Sequence, residues 1–548
     1  MKKTIALALL IAALCMTACI VEDDSEEVAD STTTSSATTT ATSTSTGATT
    51  NSSASGSGIT AGTTTAYNAT ATVDTATYAN VVYLNLTDAT VSTDNATWTE
   101  ISTSATKLLA SSDGSSVVKV KFTEDDAGSS TGLIKVNAAS FSGSLAVYVS
   151  GTLTSGGVKI QSNASDTVAV YLHDATITSS NYPCLEVTKG APAIVDISGT
   201  NTFADGRSYG TGYGEEYSTT SGATYTDDDG NTASCTVSKS VVSEGSDHKG
   251  TLYSKGNLTL SGSGSLSVTQ AYKNCIASKD GVLTVNGGTF TLKNYTSTST
   301  TGKNGMFGGQ GIVVNDGTIT FNGYGIITTS DLRKANAFKT DDDDYASSYV
   351  KLNGGTVNVT TYNGKGITAP YVYIAGGTNT FKVTGVTTYA EKTSTGTYYD
   401  ADGVKQSNAT IKFAAEGIEG AALVQVSGGV NTVTATDDGI NCSNTGGQVT
   451  VSGGYTYVYA SGGDGVDSNG TINLYGGTLE VYTPSQGDGD PLDAERGTYF
   501  RGATVLAVGH LGMAQGYGAT TPYVTFGSTG GMTGGFGGMF GGSQANLV

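Results

Sequence analysis

Basic residues, proline and histidine are scarce in this chain of 548 residues, which contains 27 Lys and Arg, 6 Pro and 3 His. Acidic residues outnumber basic ones and give a formal net charge of −20. A surface of this charge repels nucleic acid and attracts cations, so we expect metal ions and no nucleic acid among the partners. The charged fraction is only 14%, while glycine, threonine, serine and valine are abundant. This composition disfavours helices and indicates an all-β protein.

The first 19 residues have the features of an export signal. Lys2 and Lys3 precede the apolar run TIALALLIAALCM, which is too short to span a bilayer as a mature helix, and MTAC ends at Cys19. The pattern resembles a bacterial lipoprotein signal, in which cleavage follows Ala18 and the cysteine receives lipid, although Met16 stands where leucine is usual. We expect a protein anchored in a membrane of the bacterial cell envelope through Cys19, facing the periplasm or the cell exterior. A cleaved leader without lipid is the alternative.

Two further segments lack the apolar residues that a core requires. Residues 20–65 are acidic and then Ser/Thr-rich, which predicts a disordered tether, and residues 524–548 are glycine-rich, which predicts a flexible tail. Residues 141–523 are expected to form the main domain. Residues 66–140 fit its pattern loosely and are assigned to early coils or a small β cap.

A phrase centred on Gly-Gly recurs through the main domain. Its copies are VNGGTFTL, VNDGTITF, LNGGTVNV, IAGGTNTF, VSGGVNTV, VSGGYTYV and LYGGTLEV, which begin at Val285, Val314, Leu352, Ile374, Val426, Val451 and Leu474. A unit of about 22 to 30 residues with short strands and turn glycines indicates stacked β-solenoid coils, not propeller blades. Wider gaps, such as residues 382–413, are then loop insertions.

A second signature lies upstream of these phrases, where a turn residue is followed two positions later by an apolar one. The pairs are Asn274/Ile276, Asn304/Met306, Asn336/Phe338, Lys365/Ile367, Glu416/Ile418, Asp438/Ile440, Asp464/Val466 and Asp490/Leu492. Because side chains alternate along a strand, the residue after each apolar one points outward. A parallel column of Glu419, Asn441, Asp467 and Asp493 is therefore predicted.

Two acidic columns side by side need neutralisation. Neighbouring strands lie about 4.8 Å apart, so like charges on successive coils repel by about 3 kcal/mol per pair at an effective dielectric of about 20. Calcium takes oxygen ligands at about 2.3–2.6 Å, so two ligands on opposite sides of one ion are separated by about one inter-strand step. The columns therefore predict Ca²⁺ as a cofactor. A solvated, screened acidic face is the alternative.

Several phrases, in order, resemble the bacterial carbohydrate-binding domain-containing proteins. They are GTLYSKGNLTLSGSGSLSV, NCIASKDGVLTVNGGTFTL, AFKTDDDD, AAEGIEGAALVQVSGG, TATDDGINC, GGDGVDSNGTINLYGGTLEV and GMAQ. The resemblance implies a calcium-bound right-handed parallel β-helix similar to that of polysaccharide lyases, with a cellulose-like or pectin-like polysaccharide as partner. The calcium ligands that it implies are Glu416, Glu419, Asp437, Asp438, Asn441, Asp464 and Asp467. Asp490 and Asp493 are weaker candidates, because GDGDPLDAERG departs from the family's pattern.

The phrase GGYTYVYA provides a candidate sugar-binding surface. Strand alternation turns Tyr455, Tyr457 and Tyr459 outward, and Tyr482 takes the Tyr459 position one coil later. An exposed aromatic patch marks a binding surface, and tyrosine combines a flat ring with a polar edge. The alternative is that strands simply favour tyrosine.

A calcium-dependent polysaccharide lyase is the enzyme alternative. Lys339 and Lys365 lie in or beside the acidic columns, where a lysine is either a countercharge or the base that removes a proton. His173, His248 and His510 are scattered, and no Ser-His-Asp, His-Glu-x-x-His or phosphate-loop pattern is apparent. We favour a binding protein over an enzyme, and a structural surface adhesin is a third possibility.

Four cysteines follow the predicted lipidation site: Cys184, Cys235, Cys275 and Cys442. An oxidising compartment permits disulfides. Cys184 and Cys275 are expected two coils apart, too far for a direct bond, whereas Cys235 lies in the acidic insertion EEYSTTSGATYTDDDGNTASC and could reach either. The sequence leaves the pairing open.

Overall fold

The computed structural model describes residues 80–510 and 517–519 with short gaps. The gaps are 94–97, 103–105, 112–116, 122–131, 139–144, 163–165, 189, 208–214, 227–231, 242–249, 298–299, 329–330, 342–343, 386–387, 391–397, 400–404, 407–409, 413 and 486–488. The predicted leader with Cys19, the tether and the glycine-rich tail lie outside the described residues. Within the described part every regular element is a strand, as the composition predicts, and no helix is present that could cross a membrane.

A first ladder of parallel strands takes one short strand from each successive coil. Its strands are Ile134–Ala138, Val158–Ser162, Leu185–Thr188, Gly250–Ser254, Asn274–Ser278, Met306–Gly308, Phe338–Thr340, the starts of Ile367–Ile374 and Ile418–Val426, Ile440–Cys442, Val466–Ser468 and Leu492–Ala494. Each strand between the first and the last of these pairs with the strand of the coil before it and the coil after it.

A second parallel ladder follows along each coil. Its strands are Asn80–Asn85, the starts of Leu145–Leu153 and Val168–Ser179, Ala193–Ser198, Leu258–Gly262, the starts of Val282–Lys293 and Gly311–Tyr324, Tyr349–Leu352, the ends of Ile367–Ile374 and Ile418–Val426, the starts of Gln448–Ala460 and Thr471–Tyr482, Thr498–Phe500 and Tyr517–Ala519.

A third parallel ladder completes each coil. Its strands are the ends of Leu145–Leu153 and Val168–Ser179, Thr200–Asp205, Ser265–Gln270, the ends of Val282–Lys293 and Gly311–Tyr324, Thr356–Tyr362, Thr378–Thr384, Val430–Ala435, the ends of Gln448–Ala460 and Thr471–Tyr482, and Thr504–Val508.

Alternating side chains of the three ladders meet in one continuous hydrophobic core. Ile276, Met306 and Phe338 of the first ladder are fully buried, and so is Phe290 of the third. Because strand side chains alternate between the two faces, a shift of one residue would exchange the buried set for the exposed set. The core therefore fixes the register of each coil on the next.

The Gly-Gly phrases form the turns between the second and third ladders. The glycine at the second position of each Gly-Gly pair has a φ angle between 75° and 96°. These glycines are Gly288, Gly317, Gly355, Gly377, Gly429, Gly454 and Gly477. A Cβ atom at Gly454 would lie 2.6 Å from the carbonyl oxygen of Gly429 in the preceding coil. Glycine is thus required both by the left-handed backbone and by the close approach of successive turns.

The wider gaps between coils contain antiparallel hairpins. Thr378–Thr384 pairs directly with Val430–Ala435. Within residues 382–413, predicted as a loop insertion, Thr388–Ala390 pairs with Thr410–Lys412, and Tyr398–Tyr399 pairs with Lys405–Gln406 inside it. The other hairpins are Glu215–Thr226 with Thr232–Val241, Tyr295–Ser297 with Thr300–Thr301, and Ile326–Thr328 with Asp331–Arg333. The insertions leave the ladders uninterrupted.

The N-terminal region, for which the sequence allowed either early coils or a small β cap, contributes strands to two of the three ladders. It also forms antiparallel strand pairs. Asn80–Asn85 joins the second ladder and Ile134–Ala138 the first. The strands around them pair antiparallel: Thr90–Thr93, Trp98–Ser102, Thr106–Ser111 and Val117–Lys121.

The described cysteine side chains are buried free thiols. Cys184 and Cys275 precede Leu185 and Ile276, which both pair with Leu252, so the two thiols lie two coils apart as predicted. Cys442 is also free, and burial raises the pKa of its thiol to about 11. The side chain of Cys235 lies outside the described part.

Candidate functional site

The turn residues predicted from the sequence form one polar column beside the first ladder. The apolar residues two positions after them pair in register from Ile276 through Met306 and Phe338 to Leu492. In order, the column is Asn274, Asn304, Asn336, Lys365, Glu416, Asp438, Asp464 and Asp490. The pairings Glu419 with Asn441, Asn441 with Asp467 and Asp467 with Asp493 give the register of the second column.

The N-terminal half of the polar column is a ladder of buried amides. Asn304 Nδ2 donates to Asn274 Oδ1 at 2.8 Å, and Asn336 Nδ2 donates to Asn304 Oδ1 at 3.1 Å. The Lys365 backbone N–H then donates to Asn336 Oδ1 at 2.9 Å. An amide both donates and accepts, so these neutral side chains satisfy one another from coil to coil.

Lys365 stands where the amides end and the carboxylates begin. Its Nζ atom lies 3.1 Å from Glu416 Oε2 and 2.8 Å from Glu419 Oε2. Burial opposes the charge of Lys365, but the two carboxylates outweigh it and raise the pKa of the ammonium. A lysine held in this way is a countercharge and a poor general base.

The carboxylates of this pair also accept hydrogen bonds from neutral donors within the protein. Asn441 Nδ2 donates to Glu416 Oε1 at 3.2 Å, Thr368 Oγ1 to Glu419 Oε2 at 2.7 Å, and Ser443 Oγ to Glu419 Oε1 at 3.4 Å. Glu416 and Glu419, two of the predicted metal ligands, thus have an ammonium and neutral donors of the chain as partners. The case for a metal therefore rests on the coils that follow.

In those coils Asp438 and Asp464 each accept a hydrogen bond from the backbone of the turn in the next coil. Asp438 Oδ1 accepts the backbone N–H of Asp464 at 2.7 Å, and Asp464 Oδ1 accepts that of Asp490 at 2.6 Å. Asp438 Oδ2 accepts Asn441 Nδ2 at 3.2 Å. These bonds hold the carboxylates in line along the ladder.

Asp464, Asp467 and Asp493 form the tightest acidic group in the described part of the chain. Each offers one carboxylate oxygen, and the three oxygens lie within 4.8 Å of one another. No described lysine or arginine forms an ion pair with any of them. This is the arrangement that the two acidic columns predicted, without the countercharge that Lys365 supplies to the first pair.

These carboxylates are costly to ionise together. Burial and the neighbouring acids raise the pKa of Asp438 to about 8, of Asp467 to about 7 and of Asp464 to about 6. Burial and Asp490 also raise the pKa of Asp493. Asp464, Asp467 and Asp493 are partly buried, so a proton or a cation would lower the cost of holding their carboxylates together.

The donor set fits calcium. Two ligands of one calcium ion are at most about 5 Å apart, and carboxylate and amide oxygens are its usual ligands in proteins. The Oδ1 atom of Asn441 is buried without a hydrogen-bond partner in the described part. A Cβ atom at Gly463 would lie within 2.6 Å of Oδ1 of both Asp437 and Asp438, so glycine leaves room for these carboxylates against the next coil.

The predicted tyrosines share one outer face of the third ladder. Tyr455 and Tyr459 are 36% and 37% exposed, whereas Val458 between them is fully buried. Tyr459 pairs with Tyr482, and the ring centroids of Tyr457 and Tyr482 are 5.4 Å apart. The outward direction predicted for these tyrosines is therefore observed.

This tyrosine face is larger than the sequence predicted. Val430 pairs with Tyr455 and is 50% exposed, and Leu506 and Val508 continue the face in the last coil at 48% and 46% exposure. The alternation of side chains along a strand predicts that these aliphatic residues point outward. They were not included in the predicted surface because they lack the aromatic ring on which that prediction was based. Glu480 pairs with Tyr457 inside the face, and local desolvation and its carboxylate raise the pKa of Tyr482.

Comparison with known proteins gives a family match over most of the ladders. The model of the carbohydrate-binding domain-containing protein family matches residues 140–461 and 400–499. A solved structure, the gadolinium derivative of the polysaccharide lyase-like protein from C. thermocellum, is 12% identical over 72% of this chain and 96% of that chain, with a TM-score of 0.31. No curated protein matches the sequence.

Proposed function

The chain belongs to the carbohydrate-binding domain-containing family, and we propose that it is a calcium-dependent polysaccharide-binding protein of the bacterial cell envelope. The observation that carries the binding proposal is the tyrosine face. Large apolar side chains exposed together on one sheet face are unusual in a soluble domain and mark a contact surface. A polymer lying along the coils would meet Tyr455, Tyr459 and Tyr482 in turn.

The chemistry of this face favours a neutral polymer. Tyrosine rings pack against the apolar face of a sugar ring, and their hydroxyl groups reach its polar edge. Glu480 lies within the face and can accept hydrogen bonds from sugar hydroxyls, but it repels uronate carboxylates. A cellulose-like polymer therefore suits the tyrosines, whereas a pectin-like polymer would need cations between its carboxylates and the acidic columns.

Calcium is proposed as a structural ion of the acidic columns. The ligands would be Asp464, Asp467 and Asp493 first, with Asp437, Asp438, Asp490 and the Oδ1 atom of Asn441 in adjoining positions. A bound ion supplies positive charge between carboxylates that otherwise repel across successive coils. Calcium dependence of sugar binding would then follow from the stability of the coils that carry the tyrosine face.

For the architecture we propose a right-handed parallel β-helix. It is supported by the three parallel ladders, in which each strand pairs with its equivalents one coil before and one coil after. Crossovers between parallel strands of one sheet are right-handed in nearly all proteins. The lipid anchor at Cys19 remains a proposal from the leader sequence.

A lyase is a weaker proposal because the lysine in the polar column, Lys365, already acts as a countercharge. The Lys365 ammonium is held between two carboxylates, which leaves it unsuited to remove a proton. Lys339 lies one coil earlier, opposite Thr368 in the first ladder. A surface adhesin would use the same anchor and coils but would not require a polysaccharide ligand.

A glycan array with and without calcium tests the proposed function. Binding of neutral polysaccharides in calcium, weakened after calcium is removed, is expected. The array should use the described domain of the exported protein, and binding should be repeated in high salt to separate the tyrosine face from simple charge attraction. Absence of binding to every polysaccharide in calcium would favour the adhesin.

A further inference from the structure

The first carboxylate pair of the acidic columns, Glu416 and Glu419, contacts a cation of the chain itself, unlike the carboxylates of the later coils. Lys365 Nζ lies 3.1 Å from Glu416 Oε2 and 2.8 Å from Glu419 Oε2, so it contacts one oxygen from each column. The ammonium reaches forward from its own coil to the next. In the described part of the later coils, no lysine or arginine takes this position beside Asp464 or Asp467.

We propose that the Lys365 ammonium is a built-in substitute for a metal ion, and that it determines the coil at which the row of bound calcium ions begins. This inference rests on the proposal that the later carboxylates bind calcium. Glu416 and Glu419 have the residue type and the positions expected of metal ligands. The cation between them is supplied by the chain itself.

The geometry of the contact supports this exchange of cations. Ammonium–carboxylate contacts are about 2.7–2.9 Å and calcium–oxygen contacts about 2.3–2.6 Å, so a calcium ion at this point would need only a small inward shift of the two carboxylates. On the other side, Asn336 Oδ1 already accepts the backbone N–H of Lys365. The coils N-terminal to Lys365 therefore place amides and no carboxylate in the polar column, so the row of cations begins at Lys365.

A substitution at Lys365 tests the inference by ion counting. Lys365→Met keeps most of the apolar stem of the side chain but ends one atom short of the ammonium position and removes the charge. The full-length wild-type protein and the full-length variant would be titrated with calcium by calorimetry, and the bound ions would be counted by elemental analysis after gel filtration. The variant is expected to bind one calcium ion more than the wild type, and its melting temperature should depend more strongly on calcium.

Two control variants separate this effect from a general change of charge. Lys351→Met removes an ammonium from the second ladder, where it lies 4.4 Å from the ring centroid of Tyr349, and should retain the wild-type ion count. Lys365→Arg keeps the positive charge beside Glu416 and Glu419 and should also retain it. An extra ion in either control would contradict the inference.

The outcomes separate this inference from the proposed function. If the wild type binds calcium and Lys365→Met binds the same number of ions, Lys365 does not substitute for an ion, whereas the calcium proposal stands. If the wild type binds none, the calcium proposal fails and this inference fails with it. Failure of Lys365→Met to fold even in excess calcium would overturn the inference, because an ion should replace the ammonium.

Discussion

Asp438 Oδ1 accepts a 2.7 Å hydrogen bond from the backbone N–H of Asp464, although the two aspartates belong to different coils. The same side chain therefore joins two turns and adds negative charge to a crowded column. These two roles can be separated by substitution. Asparagine retains an Oδ1 acceptor for the backbone bond but removes the charge.

Calcium is expected to stabilise the wild-type domain, because it would bind the folded columns and not the unfolded chain. At a free concentration 100-fold above Kd, one site contributes about 2.7 kcal/mol. The Asp464→Asn and Asp467→Asn variants should lose most of the calcium-dependent shift in melting temperature. Thermal unfolding with calcium and after its removal measures this, with Asp316→Asn, in the exposed turn after Val314, as the control. Superimposed wild-type curves would mean that the columns bind no stabilising ion.

The metal-free domain is expected to become less stable as the pH rises from about 5 to 8. Asp438, Asp467 and Glu416 have pKa values of about 8, 7 and 7 when folded, because burial favours their protonated forms. The unfolded values are about 4, so over this range the folded state binds more protons and unfolding becomes easier as pH rises. Melting temperatures of protein desalted into metal-free buffers should therefore fall with pH. Asp438→Asn should flatten the profile, whereas an unchanged slope would argue against this assignment.

Removal of rings from the tyrosine face should weaken polysaccharide binding without unfolding the domain. Each ring lost from Tyr457 or Tyr459 is expected to reduce affinity about 2- to 13-fold, because an aromatic contact contributes about 0.5–1.5 kcal/mol. The inward Thr456 and Val458 are unchanged, so the melting temperature in calcium should stay close to that of the wild type. Pull-down of neutral polysaccharide by Tyr457→Ala and Tyr459→Ala measures the effect.

The matched control for this face is a pair of tyrosines on the second ladder. Tyr371 and Tyr373 lie on neighbouring outer positions there and are only partly exposed. Their alanine variants should bind like the wild type. Equal losses on both ladders would mean that the tyrosines act through stability, and loss only in Asp464→Asn and Asp467→Asn would move the polymer to the acidic columns.

No lyase activity on polygalacturonate is expected, since Lys365 is engaged by Glu416 and Glu419. The assay follows the ultraviolet absorbance of unsaturated product in the presence of calcium. Product formation by the wild type would contradict the expectation. Loss of that product in Lys339→Ala but not in Lys351→Ala would then identify Lys339 as the base.

Register was the part of the fold that the sequence predicted best. The turn column from Asn274 to Asp490 and the pairing of Tyr459 with Tyr482 follow from a repeated pattern that the core enforces at every coil. The antiparallel strands between Asn85 and Ile134 were not predicted, because they carry no Gly-Gly phrase and pair only locally.

Side-chain partnerships were harder to predict than register. The sequence placed Lys365 in the column but could not show that its four-carbon stem directs the ammonium forward to both Glu416 and Glu419. The aliphatic part of the tyrosine face was also not predicted, because valine and leucine in a strand are usually core residues. Leu506 lies in the last described coil, where it is exposed.

The direct pairing of Thr378–Thr384 with Val430–Ala435 has a consequence for how such a protein can diversify. Between these two strands, Ile418–Val426 also belongs to the ladders, whereas the hairpin segment from Thr388 to Lys412 forms strand pairs only with itself. That segment can therefore lengthen, shorten or be exchanged for a foreign sequence at little cost to the scaffold. A library of hairpins grafted between Gly385 and Ala414 would be displayed beside the acidic columns on an unchanged support.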